Sequence, residues 1–258
     1  MTKPTLHFAL LVCDTPLPEV IEKYGDYTKQ YPAIFEKASA NANVNLVWDF
    51  FDVVDAQVYP SLQDISDKKY DAIVLTGSKY NAHDDTPWIL KLIEFLQVVQ
   101  NEPYIGLVKL VGICFGHQVI LRSAGGVTER NAKGWEVGFT EMQLNQKGKD
   151  LFKTEKTKLR INQLHRDHVS VLPKGFVCLA STENTANHAT VSENGQCITV
   201  QGHPEFNRDT MKIIIEKRTE SGVLQKEQSA QWLNRLKSEG PEMEDVWLVE
   251  KFIEFIIL

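Results

Sequence analysis

The sequence contains few cysteines and none of the close cysteine pairs that structural metal sites and redox motifs use. Its four cysteines, Cys13, Cys114, Cys178 and Cys197, are scattered over 258 residues. Without a C-x-x-C pair, this spacing argues against a zinc site and against a disulfide framework, and it suits a reducing compartment. We therefore expect a cytoplasmic protein that holds no metal and no cofactor.

Long apolar runs and an excess of positive charge are also missing. The net charge is −6 and the pI is about 5.7, so we expect no nucleic-acid partner, because phosphate binding needs clustered Lys and Arg. No stretch is long enough to span a bilayer, so no membrane association is expected. The apolar run at residues 6–13 is short for a signal peptide and ends at Asp14, which favours a first β-strand. The length allows one large α/β domain.

In the first half of the chain, apolar segments alternate with helical patterns. Residues 6–13, 72–75 and 108–113 are apolar without strict alternation, which is typical of parallel strands buried on both faces. A further strand is predicted at 44–51, and residues 88–99 carry apolar side chains at helical spacing. This order predicts an α/β fold with a doubly wound, mostly parallel open sheet and helices on both faces.

After residue 134 the segments become shorter and more alternating. We predict strands at 135–144, 158–164, 176–181 and 188–200, partly antiparallel and at the edge of the same sheet, with a turn at 193–195. From residue 208 the pattern is helical, with breaks at Gly222 and at Gly240-Pro241. Residues 1–258 are predicted to form a single domain on which 208–258 pack as a helical extension. A homodimer contact through the apolar C-terminal end is the alternative.

The most informative segment is the Gly-x-Cys-x-Gly turn centred on Cys114, which lies between an apolar strand and a helical segment. Glycines on both sides of such a corner permit the sharp, strained turn that exposes a nucleophile in serine hydrolases. The helix N-terminus that follows favours a thiolate at Cys114. By itself this motif also fits a buried core cysteine.

A second motif, His203-Pro204-Glu205, favours the catalytic interpretation. Residues i and i+2 of extended backbone point the same way, and Pro204 keeps His203 out of the helical region. Glu205 can then accept a hydrogen bond from one ring nitrogen of His203, which leaves the other nitrogen to take the proton of a thiol. We predict that Cys114 is a nucleophile, His203 its base, and Glu205 the group that orients the histidine.

Together the two motifs resemble those of the class I glutamine amidotransferases, a G-x-C-x-G-x-Q turn and a downstream H-P-E, and the similarity covers about residues 44–207. The resemblance implies a flavodoxin-like fold and hydrolysis of a glutamine side-chain amide through a γ-glutamyl thioester. It also implies an oxyanion hole made by the backbone amides of Gly77 and Phe115. The substrate-binding residues that it implies are Gln118, Ser78, His165, Arg166 and Asp167.

The turn that begins at Gly77 departs from the Gly-Gly-Pro or Gly-Ser-Pro of most members. It is similar to the turn of plant γ-glutamyl peptidases and stand-alone fungal amidotransferase-like proteins, so the implied substrate is glutamine or a γ-glutamyl peptide. Only ~50 residues follow the similar region, too few for an ammonia-accepting domain. We favour hydrolysis without a partner. A glutaminase that passes ammonia to a separate subunit, and a silent binding protein with this fold, are alternatives.

Other histidines carry weaker signals. His117 follows the Gly-x-Cys-x-Gly turn and is expected to be structural, because His203 has a carboxylate partner in Glu205 and is the better candidate for the base. His165 and His168, together with Asp167, have the composition of a metal site, but the sequence offers no third well-spaced ligand. A position in the substrate-binding loop is therefore favoured for them.

Overall fold

The computed structural model of the protein describes residues 3–237 and 242–258. None of the helices in those ranges has the length and apolar character needed to cross a bilayer. The strands are β1 Thr5–Val12, β2 Asn45–Asp52, β3 Ala72–Leu75, β4 Lys109–Ile113, β5 Val127–Arg130, β6 Glu136–Leu144, β7 Lys158–His165, β8 Asp167–Val171, β9 Phe176–Ser181, β10 Ala189–Ser192 and β11 Cys197–Val200. The helices are α1 Pro18–Tyr24, α2 Tyr27–Ala42, α3 Leu62–Ser66, α4 Pro87–Val99, α5 Phe115–Ser123, α6 Gln146–Phe152, α7 Arg208–Glu220, α8 Lys226–Lys237 and α9 Asp245–Ile257.

The main sheet has nine strands in the order β2-β1-β3-β4-β11-β10-β9-β6-β7. Neighbours from β2 to β11 are parallel, and neighbours from β11 to β7 are antiparallel. The prediction of an α/β fold with an antiparallel edge is confirmed. The antiparallel share is larger than expected, because half of the pairings belong to it. Strands β5 and β8 form a separate antiparallel pair, which the sequence analysis did not predict.

Alternate residues of the central strands enter two different cores. In β1, Phe8 and Leu10 pack in the core that includes α2 and α9, whereas Ala9 and Leu11 pack in the core that includes α4 and α5. Because both faces of these strands are buried, their sequences are apolar throughout instead of alternating. The predicted placement of helices on both faces is confirmed.

Local sequence sets several helix ends. Asp26 accepts a hydrogen bond from the backbone nitrogen of Thr28 at the start of α2, and Asn207 accepts one from Thr210 at the start of α7. Pro87 occupies the first turn of α4, where its missing N–H costs no helical hydrogen bond.

The C-terminal helices pack against the rest of the chain. A turn that contains Gly222, with φ of 78°, follows α7, as predicted, whereas the break predicted at Gly240-Pro241 lies outside the described residues. Phe252 and Ile253 of α9 are buried in the core that includes α2, while Leu258 is exposed. The apolar residues of α9 therefore pack beside α2 in this core. That the whole chain is one domain stays a prediction.

Candidate active site

The candidate site starts at the corner between β4 and α5, where the backbone is strained. Cys114 has φ of 54° and ψ of −101°, a region that residues with a side chain rarely adopt. Both flanking glycines are needed there. A Cβ atom on Gly112 would lie 2.7 Å from the carbonyl carbon of Gly116, and one on Gly116 would lie 2.6 Å from the oxygen of Leu75. The corner places Cys114 at the N-terminus of α5.

The pairing of β4 with β11 determines what surrounds the thiol. These strands are parallel neighbours with Ile113 opposite Val200, so the residues that follow them are adjacent. The backbone nitrogen of Cys114 donates to the oxygen of Val200 at 2.8 Å, and Nε2 of Gln201 lies 3.7 Å from the Cys114 sulfur. Gln201 is not predicted as a site residue by either motif, although the pairing of the two motif-bearing strands places it beside Cys114.

His203 and Glu205 lie beyond the end of β11, in a turn held against β7. The backbone nitrogen of His203 donates to the oxygen of Asn162 at 2.8 Å. Nδ1 of His203 lies 2.7 Å from Oε1 of Glu205, so the i, i+2 spacing brings the pair together. Phe206 stacks on the imidazole with ring centroids 4.2 Å apart and planes 4° apart. These contacts set the orientation of the ring.

The second ring nitrogen of His203 is available to the thiol. Its Nε2 atom has no hydrogen-bond partner in the described ranges. A Cβ atom built on Gly77 would lie 2.8 Å from Cε1 of His203 and 3.6 Å from Cβ of Cys114, so the two side chains are neighbours. Burial opposes the imidazolium, but interaction with Cys114 and Glu205 outweighs it and raises the pKa of His203 to about 10. A charged imidazole favours the thiolate form of a neighbouring cysteine.

The Gly77 amide, which the resemblance implied as an oxyanion donor, has a hydrogen-bond partner within the chain. Its N–H group donates a hydrogen bond to the hydroxyl of Tyr31 at 2.8 Å, so Gly77 serves to leave room for His203. The next residue, Ser78, lines the cavity over Cys114, and its backbone N–H has no acceptor in the part of the chain that the structure describes. At the start of α5, the Phe115 N–H has no intrahelical acceptor either. Ser78 and Phe115 therefore each offer a backbone amide without an acceptor in the described residues, and Gly77 as an oxyanion donor stays a prediction.

Tyr31 connects this turn to the carboxylate. Its hydroxyl accepts the Gly77 hydrogen bond and lies 3.2 Å from Oε1 of Glu205. Burial, followed by the charge of Glu205, raises the pKa of Tyr31 well above its usual value, so the hydroxyl keeps the proton that it donates to Glu205. No motif marks Tyr31 in the sequence, because its partners are 46 and 174 positions away.

A cavity of about 370 Å³ opens over Cys114 and His203. All the substrate-binding residues that the resemblance implied line it, namely Ser78, Gln118, His165, Arg166 and Asp167. The amide nitrogen of Gln118 donates to the backbone oxygen of Asp167 at 2.9 Å and to Oε1 of Gln201 at 3.0 Å. Gln118 therefore links α5 to the turn between β7 and β8.

Comparison with known proteins identifies the family of the chain. Residues 26–219 match the family model described as glutamine amidotransferase class-I. The chain belongs to this family. A glutamine amidotransferase-like protein of Schizosaccharomyces pombe is 34% identical over 255 residues, which cover 97% of this chain and 98% of that protein. Gamma-glutamyl peptidase 4 of Arabidopsis thaliana is 34% identical over 214 residues, with coverage of 81% and 79%.

The fold is shared with a solved member of the family. The crystal structure of a glutamine amidotransferase from Thermotoga maritima superposes with a TM-score of 0.67 at 19% identity, over 97% of this chain and 96% of that one. At such low identity the likeness concerns the fold alone.

Within this class I fold, Asp167 is an acid of the cavity wall with two basic neighbours. Its carboxylate lies 2.5 Å from Nε of Arg130 and 3.5 Å from Nδ1 of His83. Burial raises the pKa of Asp167, although the charge of Arg130 opposes this. Asp167 was predicted from the sequence but Arg130 and His83 were not, because the segments that carry them approach Asp167 only in the folded chain.

One side-chain cluster of the described ranges has the donor types of a metal site. Nitrogens of His165 and His188 and an oxygen of Glu136 lie within 4.8 Å of one another. The same Glu136 oxygen lies 3.0 Å from His188, 3.4 Å from His165 and 3.0 Å from the Thr185 hydroxyl. The Thr185 hydroxyl and His188 therefore hydrogen-bond to this carboxylate oxygen, and His165 is its ion-pair neighbour. His168, which the sequence analysis considered beside His165, is not among these residues.

His117 takes no part in the cavity wall. Its Nδ1 atom lies 2.7 Å from the Thr199 hydroxyl. Burial, reinforced by the neighbouring His188 and His165, lowers the pKa of His117 to about 3. The ring is neutral and is part of the packing under α5, in line with a structural role.

Proposed function

We propose that the protein is a cysteine-dependent hydrolase of γ-glutamyl amides, in which Cys114, His203 and Glu205 are the catalytic residues. One observation carries the proposal. A buried histidine whose pKa is raised to about 10 lies between Glu205 and Cys114, and Cys114 occupies a strained strand-to-helix corner. Strain and a strongly shifted pKa at the floor of a cavity are typical of a reactive centre.

In the first half of the reaction, the Cys114 thiolate attacks the γ-carbonyl carbon. The oxygen of the tetrahedral intermediate accepts hydrogen bonds from the Phe115 and Ser78 amides, and each such donor contributes a rate factor of about 10²–10³. The carbon–nitrogen bond then breaks as His203 gives its proton to the leaving nitrogen. The products of this step are an amine, or ammonia from glutamine, and a γ-glutamyl thioester on Cys114.

In the second half, a water molecule attacks the thioester carbon while neutral His203 takes its proton. Glu205 stabilises the imidazolium that forms, and Tyr31 holds the Glu205 oxygen in place. Collapse of the intermediate breaks the carbon–sulfur bond and restores the thiolate beside protonated His203. Glutamate leaves the site, and the starting charge state is regenerated.

The glutamyl end of the substrate is expected at the turn between β7 and β8. Arg166 and Asp167 line the cavity there, and they offer opposite charges to the α-carboxylate and the α-ammonium of a glutamyl group. Gln118 ties this turn to the helix that carries Cys114. The similarity to Arabidopsis γ-glutamyl peptidases supports a peptide as the substrate, and the family membership equally allows glutamine.

Mass analysis of the intact protein after treatment with an electrophilic glutamine analogue tests the proposal. We expect one adduct, located on Cys114, in the wild type and in Cys178→Ser, and none in Cys114→Ser. Cys178 is a suitable control because it lies on β9 and does not line the cavity. An adduct that forms equally in Cys114→Ser would contradict the assignment.

Release assays with glutamine and glutathione then separate the candidate activities. Turnover of either substrate by the isolated chain supports a hydrolase that needs no partner. Adduct formation without turnover indicates a glutaminase subunit that waits for an ammonia-accepting partner. If neither adduct nor turnover is found, the chain is a silent binding protein and the proposal is wrong.

A further inference from the structure

Helix α7 brings a cation into the wall of the same cavity. Arg218, in the last turn of this helix, lines the cavity together with Cys114. Its guanidinium lies 5.9 Å from the centre of the Trp135 ring, and it interacts electrostatically with Tyr27, Cys114 and Asp14. In the described ranges, no carboxylate forms an ion pair with Arg218 at 4.0 Å or less.

Two other cations of the cavity wall, Lys79 and Arg130, are exposed and paired with carboxylates, whereas Arg166 is exposed and has no ion pair at 4.0 Å or less in the described ranges. Lys79 lies 2.7 Å from Asp14, and Arg130 lies 2.5 Å from Asp167. Burial lowers the pKa of Arg218, which means that the fold carries a partly desolvated charge here without a paired anion. Such an arrangement costs free energy unless a ligand provides the opposite charge.

The surroundings of Arg218 differ from those of the turn between β7 and β8. The groups that act electrostatically on Asp167 are Arg130, His83 and Asp84, and none of them is among those that act on Arg218. Apolar side chains of the cavity accompany Arg218 instead, including Trp135, Ile214 and Val223. A ligand that contacts both the turn between β7 and β8 and the surroundings of Arg218 needs a charged group at each place. It also needs an apolar part beside Arg218.

We propose that Arg218 binds a carboxylate on the leaving-group side of the scissile bond. The substrates of this subsite are γ-glutamyl peptides whose departing amine is an amino acid or peptide with a free carboxylate. Glutamine, which releases only ammonia, leaves the subsite unused. This inference rests on the proposed hydrolase function and names its substrate class.

Three substrates test the subsite: a γ-glutamyl dipeptide with a free C-terminal carboxylate, the same dipeptide with an amidated C-terminus, and glutamine. We expect Arg218→Gln to lower kcat/KM for the free carboxylate by about tenfold or more, the effect of one charged hydrogen bond, and to change the other two by less than about threefold. Arg218→Lys should recover part of the loss. Arg208→Gln is the matched control, because Arg208 lies on the same helix, is exposed and does not line the cavity.

The outcomes distinguish this inference from the proposed function. An equal loss with all three substrates would place Arg218 at the glutamyl end and overturn the inference, as would no loss with any of them. If the wild type turns over none of the three and forms no adduct on Cys114, both the hydrolase function and the inference fail. Should Arg218→Gln be unstable, Arg218→Met keeps the aliphatic stem and provides the same comparison.

Discussion

The hydroxyl of Tyr31 lies 3.2 Å from Oε1 of Glu205, the oxygen to which Nδ1 of His203 also hydrogen-bonds. A helix from the first part of the chain thus holds the carboxylate that orients the imidazole. The same hydroxyl accepts the hydrogen bond of the Gly77 amide. The proposed catalytic groups are therefore supported by a residue outside both sequence motifs.

Replacement of Tyr31 by phenylalanine tests this support. The variant removes one hydrogen bond from Glu205 and leaves the buried Gly77 N–H without its acceptor, so we expect a loss of about 1–3 kcal/mol in the free energy of unfolding. We also expect kcat to fall by about tenfold, with KM nearly unchanged. Tyr59→Phe is the control, since the buried Tyr59 hydroxyl has no partner in the described ranges. Equal kinetics for both variants would show that Tyr31 does not act on the catalytic pair.

The turn after β3 offers a pair of opposite predictions. A Cβ atom on Gly77 would lie 2.8 Å from His203 Cε1, so Gly77→Ala should displace the imidazole and reduce kcat/KM by about a hundredfold or more. Ser78→Ala keeps the backbone amide that we propose as an oxyanion donor and should retain activity within about threefold. Steady-state kinetics with thermal unfolding as a check on folding measure both. A large loss of kcat/KM in Ser78→Ala would show that the Ser78 hydroxyl, and not its backbone amide, is the oxyanion donor.

The pH dependence follows from the raised pKa of His203. Because the folded-state value is about 10, the imidazolium exists at neutral pH and loses its charge only as the pH rises through that value. We expect kcat/KM to decline on the alkaline side near pH 10, well above the ordinary range of a histidine.

Titration of the His203 ring by NMR provides the matched measurement. In Cys114→Ser the thiolate that helps to raise the value is absent, so the pKa of His203 should fall. An unchanged ring pKa in that variant would show that the two side chains do not form an ion pair.

The loss of folding stability at acid pH should depend on Glu136. Burial raises the pKa of this carboxyl, but hydrogen bonds from His165 and His188 outweigh burial and hold the pKa below its ordinary value of 4.5. A group with a lowered folded-state pKa stabilises the protein above its unfolded-state pKa, and this contribution is lost as the pH falls below about 4.5.

We therefore expect Glu136→Gln to lower the free energy of unfolding at neutral pH by about 1–3 kcal/mol. The difference from the wild type should shrink as the pH falls below about 4.5, which chemical denaturation at several pH values measures. Glu183→Gln, at an exposed position, should have little effect at any pH. A difference that stays constant with pH would rule out the carboxylate charge as its origin.

Much of the fold could be predicted because its signals are local. The predicted strand at 72–75 coincides with β3, and the predicted helix at 88–99 begins one residue earlier at Pro87. The pair β5 and β8 was not predicted, since each is short and β5 has a single buried residue. The predicted Cys114, His203 and Glu205 are brought together in the structure, because each motif positions its own residues through short-range geometry.

What the sequence alone determined is therefore the set of elements and the two motifs, both of which depend on residues within a few positions of one another. The tertiary structure decided which backbone amide beside Cys114 has no acceptor in the described residues. The Gly77 N–H donates to the hydroxyl of Tyr31 on α2, whereas the Ser78 N–H at the cavity does not have such a partner. The tertiary structure also decided that Arg218 of α7 reaches the cavity. These contacts depend on the order of the strands and on which helix covers which end of the sheet, and that order arises from the packing of both cores together.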